Sequence, residues 1–143
     1  MGRRRKAFTL IELFLSIGLI ALIGSLVLLR AKPMLDHYRM NHSYEKLKRE
    51  IALSKYLAQT ATADIEFQIE QHKKGLICKR KTDEPLSLGG TINTSFVIPY
   101  LQLEGSEKET VLITSSGWIE NDVIINICLG KQRKTIDARA LLD

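Results

Sequence analysis

At 143 residues the chain has room for one small domain and one long helix, and its formal charge of +5 points first to a nucleic-acid partner. The position of that charge argues otherwise. Arg3, Arg4, Arg5 and Lys6 carry four of the cations, and without residues 1–7 the chain holds 17 basic against 16 acidic side chains. The basic excess therefore reads as a topology signal ahead of an apolar run. His37, His42 and His72 are scattered, and Cys78 and Cys128 have no His or Cys neighbours at metal-ligand spacing. No metal or cofactor is expected. With no nucleophile–base pair and no Gly-rich phosphate loop, neither is an enzyme.

Between Phe8 and Leu29 the only ionisable residue is Glu12. These 22 residues would make a helix of roughly 33 Å, about the thickness of a bilayer core. Fifteen are Leu, Ile, Val or Phe, which together favour insertion by on the order of 4.5–9 kcal/mol. One glutamate near the bilayer centre costs about 2.5–3.5 kcal/mol, and less near an interface, so insertion wins. The basic cluster places the N-terminus in the cytoplasm and all that follows Arg30 on the far side. The run ends in Leu28-Leu29-Arg30-Ala31-Lys32-Pro33, without the small-residue pattern of a secretory cleavage site.

Lys6-Ala7-Phe8-Thr9-Leu10-Ile11-Glu12 resembles the type IV prepilin signature, in which a short basic leader and a small residue precede Phe-Thr-Leu-Ile-Glu and an apolar helix. The resemblance implies cleavage between Ala7 and Phe8 by a membrane aspartic peptidase and N-methylation of Phe8. The family usually has Gly where this chain has Ala7. The resemblance also implies a bacterial inner-membrane, single-pass protein with a periplasmic C-terminal domain. Its partners would be other pilin or pseudopilin subunits, the prepilin peptidase, the inner-membrane assembly platform and membrane lipid. A lone carboxylate in lipid needs a partner. In a filament of staggered helices, Glu12 of one subunit can neutralise the α-amine that cleavage creates on Phe8 of a neighbour, and the pair is stronger in low dielectric than in water. The plain alternative is a glutamate that reaches the headgroups from a single-span anchor.

Gly18 and Gly24 lie in the apolar run, either as points of close helix approach or as neutral occupants. Pro33 should kink or interrupt the helix, since it lacks an N–H. From Met34 to about Thr60 a helical period returns, with Met40, Tyr44, Leu47, Ile51 and Ala58 on one stripe that should pack against a sheet. The roles divide the chain into a leader at 1–7, an assembly helix at 8–29, its amphipathic continuation at 30–60 and a β-rich domain at 61–143.

Beyond Asp64 the period changes to two. Ile65, Phe67 and Ile69 alternate with Glu66, Gln68 and Glu70, which predicts a half-buried antiparallel strand. Gln71 to Gly75 should turn the chain into a second strand over Leu76–Arg80. Thr82–Pro85 and Gly89-Gly90 are breaks. Further strands are expected near Ser95–Ile98, Thr110–Thr114, Val123–Leu129 and Thr135–Ala138, with turns at Ser115–Gly117 and Gly130–Arg133. The fold class is α+β: a long N-terminal membrane helix on a small antiparallel sheet. This order of elements, with Ser-Gly-Trp-Ile ahead of an apolar strand, looks most like the minor pseudopilin H / FimT-like branch. Asp122, Asp137 and Asp143 are too dispersed for the calcium loop usual in major pseudopilins.

Trp118, the only tryptophan, is expected in the core or at a sheet edge, with a subunit contact as the alternative. An oxidising compartment permits a Cys78–Cys128 disulfide, worth roughly 4 kcal/mol in the chain-entropy view, provided that their strand faces meet. The resemblance implies a structural subunit of a type II secretion pseudopilus. One alternative is a minor pilin of a pilus or competence system that binds DNA, through Lys79, Arg80 and Lys81 with Lys131, Arg133 and Lys134, if they converge. The other is an anchored domain that never polymerises.

Overall fold

The computed structural model describes residues 9–82 and 92–141, apart from the side chains of 29 and 30. It is α+β: helix α1 (Leu10–Ala61, 52 residues) precedes strands β1 (Ile65–His72), β2 (Gly75–Lys81), β3 (Asn93–Pro99), β4 (Gln102–Leu103), β5 (Lys108–Ile113), β6 (Ile124–Leu129) and β7 (Gln132–Asp137). The chain divides into two units, one through Leu35 and one from Asp36 onward. Pro33 lies inside α1, contrary to the expected interruption. Proline removes a single backbone hydrogen bond and crowds one turn, and the ladder resumes on both sides.

The first unit has no core of its own: every described side chain from Leu10 to Leu28 is exposed. The second unit is built as the helical stripe foretells. Met40, Leu47, Ile51 and Ala58 are fully buried and Tyr44 packs at their margin, in one cluster with Ile65, Phe67, Ile69, Leu76, Ile98, Val111, Ile125, Ile127 and Ile136. The single sheet expected from the strand pattern is two antiparallel sheets, ordered β3-β2-β1-β5 and β4-β6-β7. The second exists because β4, a pair of residues with no alternating run, closes on β6 through Gln102↔Cys128 and Leu103↔Ile127. Gln71 on β1 ties β4 down, its Oε1 accepting from Leu103 N–H at 2.7 Å.

Two hairpins are tighter than their sequences suggest. Lys73-Lys74 joins the His72↔Gly75 pair, and Gly130-Lys131 joins Leu129↔Gln132. Arg133 is therefore already in β7, not in the turn. Gly75 has φ +145°, and a Cβ there would sit 2.2 Å from Ile98 O, so only glycine lets β2 meet β3 at this end.

Helix α1 ends where expected but without glycine. Thr62 takes the left-handed conformation (φ 54°) and Ala63 N–H returns to Ala58 O at 3.2 Å, the 6→1 bond of a Schellman cap. A β-branched residue is strained there by about 1–2 kcal/mol.

One charged side chain fastens the helix to the sheet. Arg80 on β2 is buried. Its Nε donates to Ser54 Oγ at 2.7 Å and its Nη2 to the Glu50 carbonyl at 3.1 Å and to the Glu50 carboxylate. Its guanidinium also lies 4.9 Å from the Phe96 ring centre and 5.8 Å from that of Phe67. Its hydrogen bonds to Ser54 and Glu50 hold α1 in one register on β2, while the two rings of β1 and β3 cover its guanidinium.

Arg80→Ala should lower unfolding free energy by about 3 kcal/mol, since it strands the Glu50 carboxylate and leaves a cavity, while Arg80→Met should cost less because its chain fills the space. Thr62→Gly should raise it by roughly 0.5–1 kcal/mol, relief of the left-handed strain outweighing the entropy of glycine. Thermal unfolding of the detergent-solubilised protein, followed by circular dichroism, checks both.

Candidate functional site

The apolar helix is built from aliphatic residues that form good helix in lipid, where each backbone group must be satisfied within the segment. It opens at Thr9, whose carbonyl accepts from Glu12 and Leu13 N–H at 3.0 and 3.2 Å. Glu12 lies in the first turn, where a carboxylate favours the positive end of the helix dipole. Its side chain is exposed and has no ion-pair partner among the described residues. Ser16 Oγ donates to Glu12 O at 2.8 Å and Ser25 Oγ to Leu22 O at 2.8 Å, so both hydroxyls are satisfied locally. Ala7 and Phe8, the expected cleavage and methylation positions, lie outside the described residues.

Near this carboxylate the helix surface carries a shallow groove lined by Ile11, Phe14, Leu15, Gly18, Leu19 and Leu22. Among the described residues, and apart from the helix's own backbone, nothing lies within 4 Å of the place a Cβ would take at Gly18 or Gly24. A glycine in such a groove leaves room for another helix to approach closely. By length and hydropathy α1 can cross a membrane once.

The architecture is pilin-like: a long apolar N-terminal helix leads into an α+β domain of antiparallel sheets. Comparison with known proteins finds no matching family model, no matching curated protein and no matching solved structure.

The six basic residues read as a possible patch do not form one. Arg80 is internal. Lys79 is held by Glu70, its Nζ 2.6 Å from Oε2, and Lys108 approaches the other Glu70 oxygen at 3.7 Å. Lys79, with burial opposing and Lys108 assisting, holds the Glu70 carboxyl below its usual range, so this pairing stabilises the fold above about pH 4.5 and is lost as pH falls through the lower folded value. Arg133 pairs with Glu104 at 3.0 Å. Lys134 donates to Asn41 Oδ1 at 2.8 Å and lies over the Tyr44 ring. Lys81 and Lys131 are exposed at different places: Lys81 ends β2 opposite Glu66, and Lys131 tips the β6–β7 hairpin. Strand direction and ion pairing thus separate what a list of cations brings together.

The two cysteines are free. Cys78 faces the core with Leu76 and Arg80, whereas Cys128 lies on the face of β6 opposite buried Ile125 and Ile127. They sit in different sheets on faces that point apart, so the disulfide that sequence permitted does not form. Burial, helped by the Glu50 carboxylate and opposed by Arg80, pushes the Cys78 thiol up to about 12 from an ordinary 9.0.

Of the two places expected for Trp118, the core is excluded, since it is 66% exposed; it lies at the sheet edge, directly before Ile119, which bridges to Ile113 of edge strand β5. The turn that presents it is firmly held. Thr114 N–H donates to Trp118 O at 2.9 Å, Ser115 N–H to Asp64 Oδ1 at 2.6 Å, and Gln59 Nε2 to Ser116 O at 3.2 Å. Gly117 has φ +85°, and a Cβ would meet Gln59 Nε2 at 2.4 Å, so glycine is required. Sequence reading also passed over the Glu50–Ser54–Arg80 group, although Arg80 follows Leu76 and Cys78 at even spacing on the apolar face. An arginine in phase with a core face is the signal that could have found it.

Alkylation at pH 8 should modify half-buried Cys128 well before Cys78, whose thiol is buried and held un-ionised, since thiolate and not thiol reacts. Because the folded value of Cys78 lies above its unfolded value, its contribution to stability is whole below pH 9.0 and is lost as pH rises toward about 12. Cys78→Ala should therefore flatten the alkaline fall in Tm between those limits relative to the parent chain.

Proposed function

We propose that this protein is a structural, non-enzymatic subunit of a type II secretion pseudopilus, of the minor pseudopilin H / FimT-like kind. The observation that carries the reading is the surface of α1. From Leu10 to Leu28 it is apolar, unburied by its own domain and marked by one carboxylate in its first turn. Such a surface needs lipid before assembly and other helices after it.

In this reading a prepilin peptidase cuts between Ala7 and Phe8 and methylates Phe8. The N-terminus starts in the cytoplasm, α1 crosses the bacterial inner membrane and the domain from Asp36 stands in the periplasm. Extraction from the bilayer then places Glu12 beside the Phe8 amine of a neighbouring subunit. At about 4 Å and an effective dielectric near 20, such a pair is worth on the order of 4 kcal/mol before desolvation. The open groove at Gly18 lets the two helices come close enough for it. The DNA-binding alternative loses its main support, since Arg80 is internal and Lys79, Arg133 and Lys134 already have partners.

Intact mass after co-expression with a prepilin peptidase should show a methylated N-terminus at Phe8. Glu12→Ala should be processed at the parent rate yet enter filaments at least about tenfold less, the equivalent of 1.4 kcal/mol. An uncut Met1 in that host would favour the non-polymerising anchor. Parent-level incorporation of Glu12→Ala would remove the electrostatic basis of assembly. Secretion lost on deletion, with DNA uptake intact, is the outcome expected for a pseudopilus subunit.

A further inference from the structure

Two hairpin tips and one turn of α1 meet at one end of the second unit. The β1–β2 tip carries Lys73 and Lys74, both exposed, and neither ammonium has a partner among the described residues. Tyr100 N–H donates to Lys74 O at 3.4 Å, and Ser43 on α1 donates to Pro99 O at 3.0 Å, so this tip, the end of β3 and the helix are joined. Arg39 on α1 stacks 4.8 Å above the Tyr100 ring. The β6–β7 tip with Lys131 belongs to the same end. Gln102 pairs with Cys128, so antiparallel pairing carries the chain back toward Tyr100 as β6 runs on to Gly130, and Lys134 reaches Asn41 just beyond Arg39.

Tyr100 is the second non-glycine residue with positive φ (72°), and it is nearly half exposed. Backbone strain of about 1–3 kcal/mol spent to present an aromatic ring beneath an arginine calls for a purpose. The charges at this end are unbalanced. Asp36 approaches Arg39 at 4.0 Å and Glu104 is taken by Arg133, and exposed Glu107, bonded through its carbonyl to Gln71 N–H, is the remaining carboxylate beside the β1–β2 tip, so among the described residues Lys73, Lys74 and Lys131 still outnumber it.

We propose that this end of the domain is a docking face for an anionic lipid surface, with the three lysines over the phosphates and Tyr100 at headgroup level. The inference rests on the reading that Leu10–Leu28 spans the bilayer. About 11 residues separate Leu28 from Arg39, roughly 16 Å of helix. That short tether keeps the second unit near the headgroups, whose negative potential attracts lysines over about one Debye length. Aromatic rings prefer that depth because one edge is apolar and the other wet. Docking would hold a subunit upright and ready before it joins a filament.

The test uses the full chain in nanodiscs of phosphatidylcholine, with and without phosphatidylglycerol, and reads lysine acylation site by site by mass spectrometry. Labelling of Lys73, Lys74 and Lys131 should fall at least about threefold in the anionic discs and recover in high salt, as expected for cations that each gain several-fold from a charged surface. Lys81, at the opposite end of β2, should label alike in both. The double variant K73E/K74E should lose the protection at Lys131. Equal labelling in the two lipids would overturn the inference while leaving the spanning helix intact. Protection in neutral discs on addition of inorganic phosphate would assign the lysines to a soluble anion instead, and protection seen only when two copies share a disc would assign them to a neighbouring subunit. Failure of the chain to enter discs at all would sink the spanning reading and this inference with it.

Discussion

The apolar surface between Leu10 and Leu28 must leave water, and every described side chain along it is exposed. That unmet demand sets the order of events proposed for the protein. Lipid covers the helix first. A second helix can replace lipid only if it offers close packing and also a positive charge for Glu12, because association within lipid gains little from the hydrophobic effect itself. The Gly18 groove answers the first need, and an α-amine exposed by cleavage would answer the second. A single carboxylate thereby selects one stagger out of the many that bare aliphatic surfaces would tolerate.

A different constraint governs the other unit. There the helix is held by a core of aliphatic side chains and by a buried guanidinium. Buried ion pairs add little net stability over apolar packing, since desolvation cancels most of the attraction. Their value here is positional: Arg80 reaches Ser54, the Glu50 carboxylate and the Glu50 carbonyl together only when α1 and β2 stand in one register. Force applied to the helix is therefore passed to the central strand of a sheet rather than to a loop.

The exposed features lie at the two ends of the domain. The rigid turn bearing Trp118 is tied to the C-terminal part of α1 through Gln59 and to Asp64 just beyond it, whereas Tyr100, Lys73 and Lys74 cluster near Arg39. Each uses a left-handed backbone position to aim an aromatic side chain outward, through Gly117 in one case and Tyr100 itself in the other.

Local pattern determined the helix, its core stripe and six of the seven described strands, because alternation and the 3.6-residue repeat report directly on which side chains share a face. What only the tertiary structure decided were matters of pairing between distant segments. Strand β4 has no pattern of its own and exists through β6 and Gln71; Arg80 leaves the surface because Glu50 and Ser54 wait across the core; Cys128 turns away from Cys78 because the domain divides into two sheets. Trp118 stands exposed on a turn whose bonds to Gln59 and Asp64 come from the end of the helix and just beyond it. Even Lys131 took its place beside Lys73 and Lys74 only when two hairpins closed at the same end. A one-dimensional pattern encodes the face a residue occupies, while the partner across that face is set by chain closure in three dimensions.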